Sequence, residues 1–337
     1  MAEKNSPINI GDTTIYPGEK ITIALPTPEL YTCTPMHIPI HVIHGKKKGP
    51  ILLICAALHA DETNGVVLIQ KLLNSPFLKS IQGTLIAIPV VNVYGLITNS
   101  RYLPDRRDLE ANFPGSKKGT FAERLAYFLN TKIFNLATHI IQIQTGEPHY
   151  HKFPQIHTNT NIPQALTLAS SFDIPFISHN ESNKGLLWKM KENTQTITMI
   201  YEGGEALHLD AQVIRIGFNG ILKSMKSIGL LSSKTKPTKF NKTMIINSFN
   251  WIRSPSSGIA QLIKKAGTFI KKNETIAIVT DPFGTKQTSN ISSPTDGIII
   301  GNYNFPLINE GDSLLQIAPL DCITKLKEHS NNLENQT

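Results

Sequence analysis

The feature that most constrains this chain is an alternation of patterns. "ILLICAAL" (residues 51–58) is an uninterrupted apolar run, rich in strand formers. "ETNGVVLIQKLL" (62–73) directly behind it has the three-to-four spacing of an amphipathic helix. A strand reads as apolar throughout only when both of its faces are covered. The pairing recurs. "GTLIAIPVVN" (83–92), "HIIQIQ" (139–144) and "TITMIYEGG" (196–204) read as strands. "FAERLAYFLNTKIFNLA" (121–137), "PQALTLASSF" (163–172) and "DAQVIRIGFNGILKSMKSIG" (210–229) read as helices. Ahead of them "HIPIHVIH" (37–44) alternates polar and apolar like a half-buried strand, and "GKKKGP" (45–50) turns the chain. Strands alternating with helices predict an α/β sheet with helices on both faces.

Composition narrows the class. The chain has 337 residues, of which 40% are hydrophobic and 17% charged, a globular balance with room for about two domains. The formal charge of +8 favours anionic partners, but the lysines are scattered. "GKKKGP" reads as a solvated turn, and neither a zinc-finger spacing nor an RNA-binding aromatic signature is present, so no nucleic-acid partner is expected. Cys33, Cys55 and Cys322 are far apart and odd in number, as reduced thiols are. The N-terminus lacks the basic-then-apolar order of a signal peptide, and no apolar run reaches the roughly 18 residues of a membrane span. A cytoplasmic protein without a membrane partner is the expectation.

The character of the chain changes after residue 232. "SSKTKPTKFNK" is polar and Lys-rich and reads as a linker. Beyond it "SPSSGI" at Ser254 and "SPTDGI" at Ser293 open two copies of one turn-and-strand pattern. Each copy is too small to bury a core alone, but together they predict a small all-β barrel or sandwich. The expected organisation is an α/β domain over 1–232, a β domain over 246–320 whose strands stay off the main sheet, and a polar tail over 321–337. A carrier role for the β domain is disfavoured, because Lys264, Lys265, Lys271 and Lys272 lack a Met-Lys-Met setting.

Ligands of open α/β sheets collect beyond the carboxyl ends of the strands. His59 and Glu62 follow one expected strand, Arg101 and Asp108 the next, and Gln144 and Glu202 end two others. His with Glu suits Zn²⁺, which in hydrolytic sites takes three protein ligands and a water. A separate Glu can serve that water as a base, and an Arg can stabilise an oxyanion.

"ALHADETNG" (57–65) resembles the Gly-x-His-Gly-x-Glu-x-x-Gly zinc motif of the succinylglutamate desuccinylase/aspartoacylase family of carboxypeptidase A-like zinc hydrolases. "IPVVNVYGLITNSRYLPDRRDLEANFPGS" (88–116), "QTGEPHYHKFPQI" (144–156) and "YEGGE" (201–205) resemble its further blocks, and the C-terminal repeat is similar to a lipoyl- or biotinyl-like barrel of bacterial members. The resemblance implies a carboxypeptidase-like mixed sheet and one zinc ion on His59, Glu62 and Gln144. It also implies Arg101 on the scissile carbonyl, Glu202 as general base and acid, and Asp108, Glu110 and Tyr150 around the substrate.

Four positions depart from the family pattern. Gln144 stands where an imidazole ligand is expected. Glu110 and Ala111 replace an Asn-Arg pair that grips a substrate carboxylate. Tyr150 replaces a further Arg. An amide oxygen is a poorer zinc ligand than imidazole, and lost bidentate Arg contacts disfavour an acidic substrate. Two readings follow: a zinc-dependent deacylase acting on a small N-acyl compound, with His149 or His151 replacing the missing ligand, or a non-catalytic relative that binds a ligand or protein with zinc held weakly or not at all. Self-association through the β domain is an expectation from fold analogy.

Overall fold

The structure, a computed structural model, describes residues 3–29, 32–181, 185–187, 196–232, 243–285 and 287–326. A hairpin of β1 (Ile8–Ile10) and β2 (Thr13–Ile15) comes first. The α/β part runs β3 (Lys20–Pro26), β4 (His37–His44), β5 (Lys47–Ala56), α1 (Thr63–Leu73), β6 (Gln82–Ile88), α2 (Val93–Thr98), α3 (Phe121–Lys132), β7 (His139–Gly146), β8 (Tyr150–Thr158), α4 (Pro163–Ser171), β9 (Phe176–His179), β10 (Ile197–Glu205) and α5 (Ala211–Ser227). The C-terminal part runs β11 (Met244–Ile246), β12 (Asn250–Arg253), β13 (Gly258–Leu262), β14 (Phe269–Ile270), β15 (Thr275–Thr280), β16 (Ser289–Ser292), β17 (Gly297–Tyr303), β18 (Leu307–Ile308), β19 (Ser313–Pro319) and β20 (Ile323–Lys325).

The centre of the main sheet is parallel, in the order β10-β7-β5-β6, and antiparallel strands flank it on both sides. β5 shows why its sequence is apolar without a break. Leu52 and Ile54 enter a core shared with α1, α4 and α5, while Leu53 and Cys55 enter a second core shared with α3. All four are fully buried. Burying such an aliphatic side chain contributes about 1.5–3 kcal/mol. The expected mixed sheet with helices on both faces is therefore present.

Gly65 sets how closely α1 can lie on the strand ends. A Cβ there would stand 2.6 Å from the Ala56 Cβ and 3.0 Å from Ile143 Cγ2. The residue that precedes α1 is Glu62, so this close approach also places the first site motif.

The C-terminal strands correct an expectation. β17 pairs with β8 at Gly301–Lys152, Asn302–His151 and Tyr303–Tyr150, so residues 250–318 do add strands to the main sheet. The cause is an open edge. β10 covers one side of β8 and β9 covers only the end of the other, which leaves unpaired backbone along Tyr150–Lys152. An unpaired edge accepts whatever strand can reach it. β12, β19 and β17 continue from there, and β16-β15-β13-β18 form a second sheet over a small core of their own around Ile276, Ile299 and Leu315. A second junction forms where β11 pairs with β9 and β20. The expected tail from residue 321 thus first supplies β20, and 327–337 lie outside the described residues. So do residues 233–242, on which the expected linker falls.

Candidate active site

The parallel strands bring their carboxyl ends to one edge. β10 and β7 set Glu202 beside Gln144, and β5 and β7 set Cys55 beside Gln142. A cavity of about 450 Å³ opens there and is lined by His59, Glu62, Arg101, Gln144 and Glu202, all from separate sequence blocks apart from the first two. Glu110 and Tyr150 line it as well. Asp108 stands behind His59 and Arg101. Trp251, Tyr303, Asp312 and Ser313 from the C-terminal part close the cavity wall.

His59 is the centre of a cluster of carboxylates. It is 1% exposed, and Glu62 is 3% exposed. Nδ1 lies 2.9 Å from Glu62 Oε1, and Nε2 lies 3.0 Å from Asp108 Oδ1 and 3.5 Å from Glu110 Oε2. Asp108 also accepts from Arg101 at 3.2 Å and from the Glu110 backbone N–H at 2.8 Å. Burial by itself pulls the imidazole down. Glu62, Asp108 and Glu110 outweigh it and hold His59 at about 10. Burial pushes Glu62 up, against the pull of His59.

Glu110 is gripped by two amides. Gln142 Nε2 donates to its Oε1 at 3.0 Å, and Gln144 Nε2 donates to its Oε2 at 2.6 Å. Glu202 is gripped too. Gln155 Nε2 and His157 Nε2 both lie 2.9 Å from its Oε2, with Lys152 Nζ at 3.9 Å. Burial opposes ionisation of Glu202, but Lys152, His157 and Gln155 together bring it down to about 2. Lys152 also donates to Gln316 Oε1 at 2.6 Å and lies over the rings of Tyr150 and Trp251, at 5.3 and 5.5 Å.

Neither His149 nor His151 replaces the missing imidazole, which corrects that expectation. His149 stacks on Phe305 at 4.9 Å, and His151 lies 3.6 Å from Asp210; neither lines the cavity. Several residues went unread in the sequence: Gln142, Lys152, Gln155, His157, Trp251, Tyr303 and Asp312. Gln155 and His157 are two apart on β8 and therefore share a face, a spacing that points at Glu202 once the segment is known to be a strand. Pro154 concealed that strand. A register shift between Glu202 and Gly204 then brings Lys152 to the same carboxylate.

The zinc ion implied for His59, Glu62 and Gln144 would find two suitable donors and one poor one. Gln144 can offer only its amide oxygen, a poorer donor than imidazole, its nitrogen being held by Glu110. Nδ1 of His59 faces Glu62, the other implied ligand, and Nε2 faces Asp108, the second-layer carboxylate that a metal-binding imidazole commonly has. Among the described residues no group of three or more His, Cys, Asp or Glu is arranged to hold a metal ion.

Residues 48–228 match the family model of the succinylglutamate desuccinylase/aspartoacylase catalytic domain. Over 110 residues the chain is 26% identical to an N-alpha-acetyl-L-2,4-diaminobutyric acid deacetylase of Halomonas elongata, a match covering 32% of this chain and 32% of that protein. The chain therefore spans about a third of the length of that relative. Two solved structures share the fold at a TM-score of 0.78. A succinylglutamate desuccinylase/aspartoacylase from Rhodobacter sphaeroides is 21% identical, over 88% of this chain and 95% of its own. The ectoine utilization protein EutE (DoeB) from Ruegeria pomeroyi is 20% identical, over 93% of this chain and 98% of its own. With more than half of its length matched by the catalytic-domain model, the chain belongs to the succinylglutamate desuccinylase/aspartoacylase family.

Proposed function

We propose that this family member binds a small molecule in the inherited cleft without metal-dependent hydrolysis. The hydrogen bond from Gln144 to Glu110, at 2.6 Å, carries the reading. It fixes an amide, a poor zinc donor, at the third ligand position, and it holds a carboxylate where the family pattern has a neutral amide. The state of Glu202 supports it. A general base works best when its pKa lies near the working pH, and a carboxylate brought down to about 2 is a weak one. In this reading the α/β part to residue 232 supplies the cleft and the β part from residue 246 walls it in. Cys33, Cys55 and Cys322 are free thiols, which supports a reducing, cytoplasmic setting. No helix among the described residues is long and apolar enough to cross a membrane.

The deacylase reading is favoured by the family match and by one feature of the site. His59, Glu62, Arg101 and Glu202 line a single cavity, as zinc-dependent hydrolysis of an amide or ester bond in a small N-acyl compound would need. One experiment separates the two. The chain and its Gln144→His variant are stripped with a chelator, titrated with Zn²⁺ in a calorimeter, and assayed for acetate release from N-alpha-acetyl-L-2,4-diaminobutyrate. The wild type is expected to bind zinc at least about 10–100-fold more weakly than the variant, since even second-layer losses at zinc sites cost that much, and to release no acetate. Tight zinc binding by the wild type together with chelator-sensitive hydrolysis would overturn the proposal.

A further inference from the structure

One motif of the sequence has no part in the cleft. In "GKKKGP" the chain bends at Lys46, and Lys47 and Lys48 already belong to β5. Lys47 stands beside Gln82 at the amino ends of β5 and β6, at the far end of the strands from His59. A cavity of about 380 Å³, separate from the cleft, opens there. Lys46 and Lys47 line it from the motif, and Lys79 lines it from the short turn Pro76–Lys79 ahead of β6.

These lysines meet without a counter-charge. Among the described residues no Asp or Glu lines the cavity. The acids nearest in the chain are engaged elsewhere. Both oxygens of Glu3 accept from Lys48 Nζ at 3.0 Å, and Glu19 Oε2 accepts from the Tyr16 backbone N–H at 2.7 Å. The described lysines with a carboxylate within 4.0 Å are Lys48, Lys152, Lys223 and Lys264, so Lys46, Lys47 and Lys79 have no such partner among the described residues. A concave surface lined by one sign of charge focuses its field and gathers counter-ions.

The rest of the lining narrows the ligand. The floor is apolar, with Ile43, Leu78 and Ile81 all buried. His44 also faces the cavity, but its ring nitrogens are taken by the Thr84 hydroxyl at 2.8 Å and the Ser6 carbonyl at 2.9 Å. Three ammonium groups exceed what one carboxylate neutralises, whereas a phosphate monoester carries nearly two negative charges and three acceptor oxygens. Lys binds phosphate as a point charge and needs no planar geometry.

We infer that this cavity binds a phosphate monoester, its dianionic group received by Lys46, Lys47 and Lys79 and its compact organic part resting on Ile43, Leu78 and Ile81. The volume suits a small molecule. Nothing in the inference depends on whether the cleft holds a metal.

The test titrates phenyl phosphate and benzoate into the full chain by calorimetry, at about pH 8 and one low ionic strength, where the phosphate is doubly charged and screening is weak. Phenyl phosphate is expected to bind, and benzoate to bind at least about tenfold more weakly. Lys47→Gln with Lys79→Gln, checked for folding by circular dichroism, is expected to weaken phenyl phosphate about tenfold or more, as loss of charged hydrogen bonds does. Lys46→Gln reads the same dependence should the double variant not fold. Lys118→Gln, an exposed lysine outside the cavity, is expected to change nothing. No phenyl phosphate binding up to millimolar concentration, equal affinity for benzoate, unchanged affinity in the folded cavity variant, or an equal loss in Lys118→Gln would overturn the inference. Sedimentation with phosphatidylcholine vesicles carrying phosphatidic acid tells where the group comes from. Retention of the wild type but not of the double variant assigns it to a lipid headgroup, and any other result assigns it to a free ester.

Discussion

Gln144 Nε2 lies 2.6 Å from Glu110 Oε2, a contact that joins the end of β7 to the loop behind α2. Two departures from the family pattern meet in that bond. The imidazole position has become an amide, and the neutral amide position has become a carboxylate. A charge-assisted hydrogen bond between them is stronger than a neutral one, so each departure supplies what the other requires.

Gln144→His alone should recover only part of the zinc affinity, because Glu110 remains to compete for the imidazole proton. Gln144→His with Glu110→Asn should bind zinc at least about tenfold more tightly than the single variant. Calorimetric titration of both reads the difference. Equal affinities would mean that Glu110 plays no part in keeping the metal out.

Glu202 predicts an acid limit. Its folded-state pKa of about 2 lies below the value of about 4.3 expected when unfolded. Its contribution to stability is therefore complete above the unfolded value and is lost as pH falls toward the folded one. Lys152→Met removes the largest influence that lowers it. The variant should be less stable at neutral pH, and its melting temperature should drop less than that of the wild type as pH falls from about 5 to 2. Coincident profiles from pH 7 to pH 2 would contradict the pairing.

Gly65→Ala should destabilise the chain by about 1–3 kcal/mol, the usual cost of overpacking. The new methyl group would stand 2.6 Å from the Ala56 Cβ, and α1 would have to lift from the strands. Denaturant titration measures the loss. A variant as stable as the wild type would show that α1 yields freely.

A chain ending at residue 248 should aggregate. It would expose the β8 edge at Tyr150–Lys152 and the apolar surface of Phe176 and Ile246 that Ile298, Ile300 and Ala318 cover. Edges of that kind recruit other strands. Size-exclusion chromatography decides, and a monomeric peak with an unchanged melting temperature would argue that the β part is dispensable to the fold.

The sequence by itself determined the layers and the place of the cleft. Runs such as that of β5 are apolar because both faces are buried, and periodicity reports burial directly. Parallel strands end together, so the His59, Gln144 and Glu202 blocks had to meet. Periodicity carries no record of partners. It could not show that β8 has an open edge for β17, since strand pairing at an edge is set by backbone reach and not by side-chain pattern. Nor could it show that Gln142 and Gln144 would turn to Glu110, or that Lys152, Gln155 and His157 would hold Glu202. Those bonds join residues far apart in sequence, and their geometry exists only after the sheet has brought the strands into register. The residue types at the site were legible in the chain, and only the tertiary structure decided which of them neutralise one another.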